Sequence, residues 1–433
     1  MAARLSWSLR WRLSVLWALE WGIGGTFFTY LPIQFDDSQL SGQMMAIAAV
    51  GLWLAPFVVG QVADRWLSSE KYLAISHFAG GVCLAALATV SDLHTPAQRQ
   101  GYTLLVLSAL FAIAYIPTWA LASSLTFRHL SRPDVEFGKV RIWGTVGWML
   151  AGLSLSLWLQ RQQAEFWLLD RFPQTAGTLA QLRGTLGWLP IPQSSDCFRM
   201  ASWLSFALSS FCIFLPRTPP AEAAGRRFAP LALLGMLRNR NFAVFLGVSF
   251  LLALIVPLYN LAVPVFLASH MSFHRNWVPA VMLIGQISEF PALLLLPFCL
   301  TRLGLKVTFA LGMAAWIARY AVFAIGGPDW LVLTGVGLHG ICHVFLVIVA
   351  QLYIDAQCPR DLRASAQNVL AFVTLGIGMP LGFLLWGRMN AWFGDSYPLL
   401  FAAPAGLLSL LLALFWRAFQ APALSPARGA EPG

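Results

Sequence analysis

The stretch from Val278 to Leu300 constrains this chain more than any other. It is apolar throughout except for Gln286, Ser288 and Glu289, and it is long enough to cross a bilayer as a helix, which takes about 20 residues. Glu289 lies at its centre, where a carboxylate is costly unless it faces other protein, holds a partner or carries a proton. A water-soluble fold offers no reason for this placement, whereas a proton-driven membrane transporter needs such a group.

The composition agrees with a membrane protein. Hydrophobic residues make up 58% of the 433 residues and charged residues 11%, whereas soluble domains run at about 25% charged. The six cysteines show no pairing or metal-ligand pattern, and the basic residues behind the net charge of +10 are too scattered to bind nucleic acid. No phosphate loop, nucleophile–base motif or metal cluster is evident, so we expect no enzyme activity, no cofactor and no metal.

Apolar periodicity predicts an all-α membrane protein of twelve transmembrane helices, and corresponding residues in its two halves indicate two six-helix repeats, an arrangement that resembles the major facilitator fold. We expect a bundle at 1–217, a basic cytoplasmic linker at 218–240, a second bundle at 241–418 and a disordered tail at 419–433. A long loop is expected from Arg161 to Phe198. The predicted helices span residues 13–34, 43–62, 72–90, 101–127, 139–160, 199–215, 241–267, 278–300, 307–326, 330–354, 364–386 and 396–417.

The distribution of basic residues predicts the orientation. Most of the 28 lysines and arginines fall in segments that face the cytoplasm when the N-terminus is inside. The first apolar run carries basic residues ahead of it, like a signal peptide, but it is too long for one and is interpreted as the first helix. We therefore expect a multi-pass inner-membrane protein, a monomer, with both termini in the cytoplasm.

Arg141, Thr145 and Trp148 lie on one face of the fifth predicted helix. Two hydrogen-bond donors and a stacking ring suit a heteroaromatic or sugar-bearing ligand. The alternative is that Arg141 and Trp148 anchor the helix at the headgroup layer.

Gln286 and Glu289 share one turn in mid-membrane, which favours a proton or substrate site, although a protonated glutamate can also bridge two helices. Glu20 in the first helix is either a packing contact or a second proton or substrate site. His339 and His343, four residues apart, either line a cavity or pack in the core, and no further metal ligand is evident.

Asn260, with Tyr259 and after Pro257, is a polar break in the apolar run of the seventh helix, and it either lines a cavity or bonds to a neighbouring helix. At the end of the second helix, Asp64 and Arg65 form either a solvated ion pair or a cytoplasmic latch. This loop resembles the corresponding G-x-x-x-D-R loop of major facilitator transporters. Arg363 opens the eleventh helix as Arg141 opens the fifth, so we assign Asp64, Arg65 and Arg363 to gating.

Taken together, five segments resemble the nucleoside:proton symporter family of the major facilitator superfamily. The resemblance implies that nucleosides are imported with protons and are bound at mid-membrane between the halves. The segments are Gly60-Gln-Val-Ala-Asp-Arg-Trp66, Val140-Arg-Ile-Trp-Gly-Thr-Val-Gly-Trp148, Gly285-Gln-Ile-Ser-Glu289, Ala315-Trp-Ile-Ala-Arg319-Tyr320 and Leu362-Arg-Ala-Ser-Ala-Gln367. The nucleoside contacts that the resemblance implies fall on Arg141, Thr145, Trp148, Asn260, Gln286 and Glu289.

Two departures from the family pattern leave alternatives open. Pro257 stands where the family has a glutamine, and a cluster of Tyr, Phe and Asp falls on His339, His343 and Val344. The hypothesis is a proton-coupled importer of nucleosides or similar polar heteroaromatic solutes, with Glu289 and Glu20 as proton-coupling acids. The alternatives are a uniporter or symporter for a different metabolite on the same fold, and a non-transporting scaffold or sensor.

Overall fold

The structure is a computed structural model. It describes residues 7–35, 37–58, 67–93, 97–131, 133–172, 174, 177, 181, 190–219, 238–272, 274–357, 367, 369–393 and 396–420. The predicted gating residues Asp64, Arg65 and Arg363 lie outside these ranges, as do most of the predicted linker and tail.

Contacts divide the chain into two compact units. The first comprises Met1–Ala223 and Val263–Leu283, and the second Ala224–Ala262 and Ile284–Gly433. The helices are α1 (Trp7–Phe27), α2 (Leu31–Gln34), α3 (Ser38–Val58), α4 (Ser69–Ser91), α5 (Ala97–His129), α6 (Pro133–Arg171), α7 (Asp196–Phe211), α8 (Arg240–His270), α9 (Val278–Ile325), α10 (Asp329–Gly337), α11 (His339–His343), α12 (Val349–Gln357), α13 (Met379–Phe393) and α14 (Tyr397–Ala418). The ranges that the structure describes contain no β-strand.

Nine helices within the described ranges are long and apolar enough to cross a membrane. One of them is long enough to cross twice, because α9 continues past a break at Gly304, whose φ of 76° and ψ of 171° are not helical. Glycine suits this break because it lacks a Cβ. The boundary predicted between the eighth and ninth helices is confirmed, while the count of twelve and the repeat layout stay predictions.

Several helix boundaries differ from the sequence prediction; α13, for example, ends at Phe393 and not at residue 386. Two of the differences change the layout. The loop expected from Arg161 is wrong at its start, because α6 continues to Arg171. The Gln-Gln-Ala-Glu run after Arg161 consists of good helix formers, and the helix ends two residues before Pro173, as a helix does near proline. The first predicted helix is also interrupted, because α1 ends at Phe27 and α2 begins at Leu31.

In the first unit, α1 packs along α6, α3 along α5, and α4 against both α5 and α7. Small residues bring α1 and α6 into backbone contact. A Cβ on Gly147 would lie 2.0 Å from the carbonyl oxygen of Ala18, and one on Gly25 would lie 2.5 Å from that of Trp148. Packing of this kind is typical of membrane helices, and it sets the distance between the aromatic side chains of the two helices.

Candidate functional site

Glu289 and His339 form the centre of a polar cluster in the second unit. His339 Nε2 lies 3.3 Å from Glu289 Oε1, and the two side chains are 12% and 19% exposed. The carboxyl predicted from the sequence therefore has a specific partner within hydrogen-bond reach and is not sealed from its surroundings. A group that exchanges protons during a transport cycle needs both properties.

A buried arginine contacts the other side of the same imidazole. Arg319 is 0% exposed, and its Nη1 lies 3.2 Å from His339 Nδ1. Its Cζ lies 3.3 Å from the centroid of the Tyr259 ring and 5.0 Å from that of Trp316. Aromatic faces stabilise a desolvated guanidinium, so this charge is held by rings on one side and by His339 on the other.

The position of His339 follows from a close contact between α9 and α11. A Cβ on Gly340 would lie 2.0 Å from the carbonyl oxygen of Ser288, and the Gly340 N–H donates to Ser288 Oγ at 2.8 Å. Only a residue without a side chain fits at position 340 of this crossing, and the close approach brings His339 and Glu289 side by side. The π-helical segment Val344–Ile348 follows directly, and such segments often occur at functional sites.

Other predicted residues join this cluster to different degrees. Gln286 Nε2 lies 3.5 Å from His339 Nε2, and the His343 ring stacks on that of His339 with centroids 5.5 Å apart. His343 is exposed and Gln286 is half-buried. Asn260 is half-buried beside Tyr259 in sequence, but no described hydrogen bond joins it to the cluster.

The cluster also offers three potential metal ligands. Donor atoms of Glu289, His339 and His343 all lie within 4.8 Å of one another, although the sequence offered no third ligand to the histidine pair. The contact with Arg319 argues against a cation here. A guanidinium can only donate, so His339 Nδ1 accepts and the ring proton lies on Nε2, the nitrogen that faces Glu289.

In the first unit, Arg141 and Trp148 both pack against Trp21 of α1. Arg141 Cζ lies 4.1 Å from the Trp21 ring centroid, Trp148 lies 6.2 Å from it, and Trp119 stacks on it at 5.5 Å. The Nε1 atoms of Trp21 and Trp148 are buried and have no hydrogen-bond partner among the described residues. Thr145 is half-buried on the same helix. The predicted stripe is thus an arginine within an aromatic cluster.

Glu20 forms a separate polar cluster in the first unit. It is 0% exposed; its Oε2 lies 2.9 Å from His77 Nε2, and its Oε1 accepts from Thr118 Oγ1 at 2.5 Å. Tyr115 donates to the Glu20 carbonyl oxygen at 2.6 Å, and Ser205 donates to that of His77 at 2.8 Å. The carboxyl therefore joins α1 to α4 and α5.

Sequence reasoning names His339, the partner of Glu289, but misses the partner of Glu20 and the arginine beside His339. A histidine inside the apolar third predicted helix is a usable signal for His77. Arg319 belongs to a family motif with no assigned role, Tyr259 is noted only as part of a polar break with Asn260, and Trp21 gives no signal beyond apolar periodicity. These partners come from other helices, so spacing along the sequence does not reveal them.

Comparison with known proteins identifies the family. The family model described as nucleoside H+ symporter matches residues 7–168 and 175–423. The chain belongs to this family. It is therefore a multi-pass membrane transporter that moves nucleosides with protons, and the interpretation as a transporter rather than an enzyme is confirmed.

Curated relatives and solved structures agree with this membership. The putative nucleoside transporter YegT of Escherichia coli K12 is 30% identical over 394 residues, which cover 87% of this chain and 84% of that protein. The nucleoside permease NupG of the same organism is 26% identical, with 88% of each chain covered. A crystal structure of the nucleoside transporter NupG has a TM-score of 0.78 at 24% identity, covering 96% of this chain and 100% of that chain. The fold is thus of the major facilitator type.

Proposed function

We propose that this chain imports nucleosides by alternating access and that Glu289 is the carboxyl that carries the coupled proton. The observation that supports this role is the environment of Glu289. It is a mid-span acid that is 19% exposed and within hydrogen-bond reach of a histidine at 3.3 Å. Partial exposure gives a proton a route in and out, and a fixed partner gives the carboxyl a defined orientation in each protonation state.

Arg141, Thr145 and Trp148 are proposed to bind the nucleobase, with Asn260, Gln286, His339 and His343 as further contacts. The indole N–H groups of Trp21 and Trp148 have no hydrogen-bond partner among the described residues, and the Trp119 ring stacks on that of Trp21. A ligand that presents acceptors and a flat ring satisfies such donors by hydrogen bonding and stacking. Glu20 is proposed as a second proton-coupling acid.

The test is uptake of labelled uridine or adenosine into vesicles with an imposed proton gradient. We expect Glu289→Gln to abolish gradient-driven accumulation while it retains exchange of labelled for unlabelled nucleoside, because exchange needs no net proton release. Asp170→Asn, which removes an exposed carboxylate, is the matched control and keeps both activities. Full accumulation by Glu289→Gln contradicts the proposed role of this carboxyl.

A different solute on the same fold is the second candidate. Val344, which stands where the family pattern has an acid, is 1% exposed and offers no polar contact to a ribose. A panel of labelled nucleosides and other heteroaromatic solutes, each measured with and without a proton uncoupler, separates the two. Uptake that the uncoupler does not reduce favours a uniporter.

The topology is proposed in full as twelve crossings in halves at 1–217 and 241–418, with linker 218–240, tail 419–433, a monomeric state and both termini in the cytoplasm. The bias of lysine and arginine along the chain supports the orientation. Reporter fusions at each terminus test it, and a periplasmic signal from either fusion contradicts it. The latch proposed for Asp64, Arg65 and Arg363 is tested by charge-reversal pairs in the same uptake assay.

A further inference from the structure

We propose that Arg319 is the fixed counter-charge of Glu289 and that it acts through the neutral imidazole of His339. The inference rests on the proposed function of Glu289 and deepens it, because it assigns a positioning role to Arg319, which contacts the imidazole of His339 on the side opposite the carboxyl. It identifies a three-residue relay in which a permanent positive charge favours the ionised form of the transport carboxyl.

The direction of the relay follows from hydrogen-bond chemistry. Arginine has five N–H donors and no acceptor, so the contact of 3.2 Å between Arg319 Nη1 and His339 Nδ1 requires a lone pair on Nδ1. The ring is then neutral and carries its proton on Nε2, which lies 3.3 Å from Glu289 Oε1. In the structure the Gln286 amide nitrogen lies 3.5 Å from Nε2, and with the proton on Nε2 these two donors make no hydrogen bond to each other.

Neighbouring aromatic rings hold Arg319 and His339 in place. Arg319 is 0% exposed and is surrounded by the rings of Tyr259, Trp316 and Phe323, at 3.3, 5.0 and 5.9 Å from Cζ. The Tyr259 ring also stacks on the His339 ring, with centroids 5.3 Å apart and planes 23° apart. The imidazole therefore cannot rotate freely away from the guanidinium.

Arg319 contributes a permanent positive charge to the group of titratable side chains around Glu289. The other titratable side chains there are His339, His343 and Cys342 from α11 and Tyr259 from α8. A second positive charge on His339 would face the guanidinium directly, so the proton that is carried resides on Glu289 and not on the imidazole. On release, the O–H bond of Glu289 breaks, the proton passes to water, and the carboxylate accepts from His339 Nε2–H.

The charge of Arg319 is therefore expected to set the pH at which Glu289 releases its proton. A unit charge one imidazole away moves a titration midpoint by about one to two pH units at the effective dielectric of protein sites. Without Arg319, Glu289 keeps its proton to a higher pH. The loaded carrier then releases its proton poorly to a neutral cytoplasm, so accumulation falls while nucleoside exchange persists.

The experiment is an infrared difference titration of the purified protein in lipid, which follows the protonated-carboxyl band that Glu289→Gln removes. We expect Arg319→Gln and His339→Phe to raise the midpoint by about one to two pH units. Phe keeps the ring stacking but breaks the relay. His339→Gln restores the wild-type midpoint, because its amide oxygen accepts from Arg319 and its amide nitrogen donates to Glu289. Arg388→Gln, an exposed arginine of the same unit, is the matched control.

Unchanged midpoints in both Arg319→Gln and His339→Phe overturn the relay. A raised midpoint in His339→Gln equal to that of His339→Phe also overturns it, because the effect then comes from ring chemistry and not from the two hydrogen bonds. The titration needs no transport. If the wild-type protein moves no nucleoside, the proposed function is wrong, but the infrared titration still tests the relay. The two failures are therefore distinguishable.

Discussion

The buried carboxyl of Glu20 gives the sharpest prediction on stability. It joins three helices of the first unit through contacts of 2.9 Å to His77 and 2.5 Å to Thr118, and both Glu20 and His77 side chains are fully buried. Glu20→Ala removes the partner of the His77 ring nitrogen in an apolar interior, while the Thr118 hydroxyl keeps its second acceptor, the Tyr115 carbonyl oxygen at 2.5 Å. Glu20→Gln keeps the shape and one carbonyl oxygen.

The magnitude follows from the number of partners lost. Breaking a buried pair by removing one member costs up to about 3–5 kcal/mol, of which the buried donor left unsatisfied accounts for roughly 1–3 kcal/mol. For a chain of 433 residues this corresponds to a fall in melting temperature on the order of 5 °C. We expect Glu20→Gln to lose about half as much, since one acceptor remains.

The assay is thermal unfolding of purified protein in detergent, followed by fluorescence of the tryptophans. Asp170→Ala removes an exposed acid of the same unit and is expected to melt like the wild type. A melting temperature of Glu20→Ala equal to that of the control would refute the reasoning, because the carboxyl then makes no net contribution. Gradient-driven uptake by Glu20→Gln tests Glu20 as a proton site. Loss of accumulation supports that role, and full accumulation contradicts it.

Three further outcomes are expected. Gly340→Ala places a Cβ 2.0 Å from the Ser288 carbonyl oxygen, so we expect stability to fall by roughly 1–3 kcal/mol or more and uptake to be lost. The control Gly406→Ala, whose Cβ meets nothing within 4 Å, behaves as wild type. Trp148→Ala raises the nucleoside concentration for half-maximal uptake about tenfold while Trp148→Phe stays near wild type, since a stacking ring contributes about 1 kcal/mol or more; equal values for the two variants contradict stacking. A chelator leaves uptake unchanged, because Arg319 directs the His339 ring proton to Nε2; inhibition that zinc reverses contradicts this.

The site was predictable from the sequence only in part. The carboxyl at the centre of an apolar span marks Glu289 without any structure, because a charge at that depth needs a reason. Helix periodicity places Gln286 on the same turn and pairs His339 with His343. The loop predicted to begin at Arg161 is wrong, because apolarity marks only part of α6. Residues that are good helix formers but not apolar continue this helix to Arg171.

The sequence by itself determined a membrane-spanning helical transporter, because the length and apolarity of segments such as Val278–Leu300 are local properties of the chain. Only the tertiary structure decided which groups pair with its two buried acids. His77 reaches Glu20, and Arg319 reaches Glu289 through His339, because glycines such as Gly147 and Gly340 let neighbouring helices approach to backbone contact. The depth and rotation of one helix against another depend on this packing, and no periodicity within a single helix encodes them.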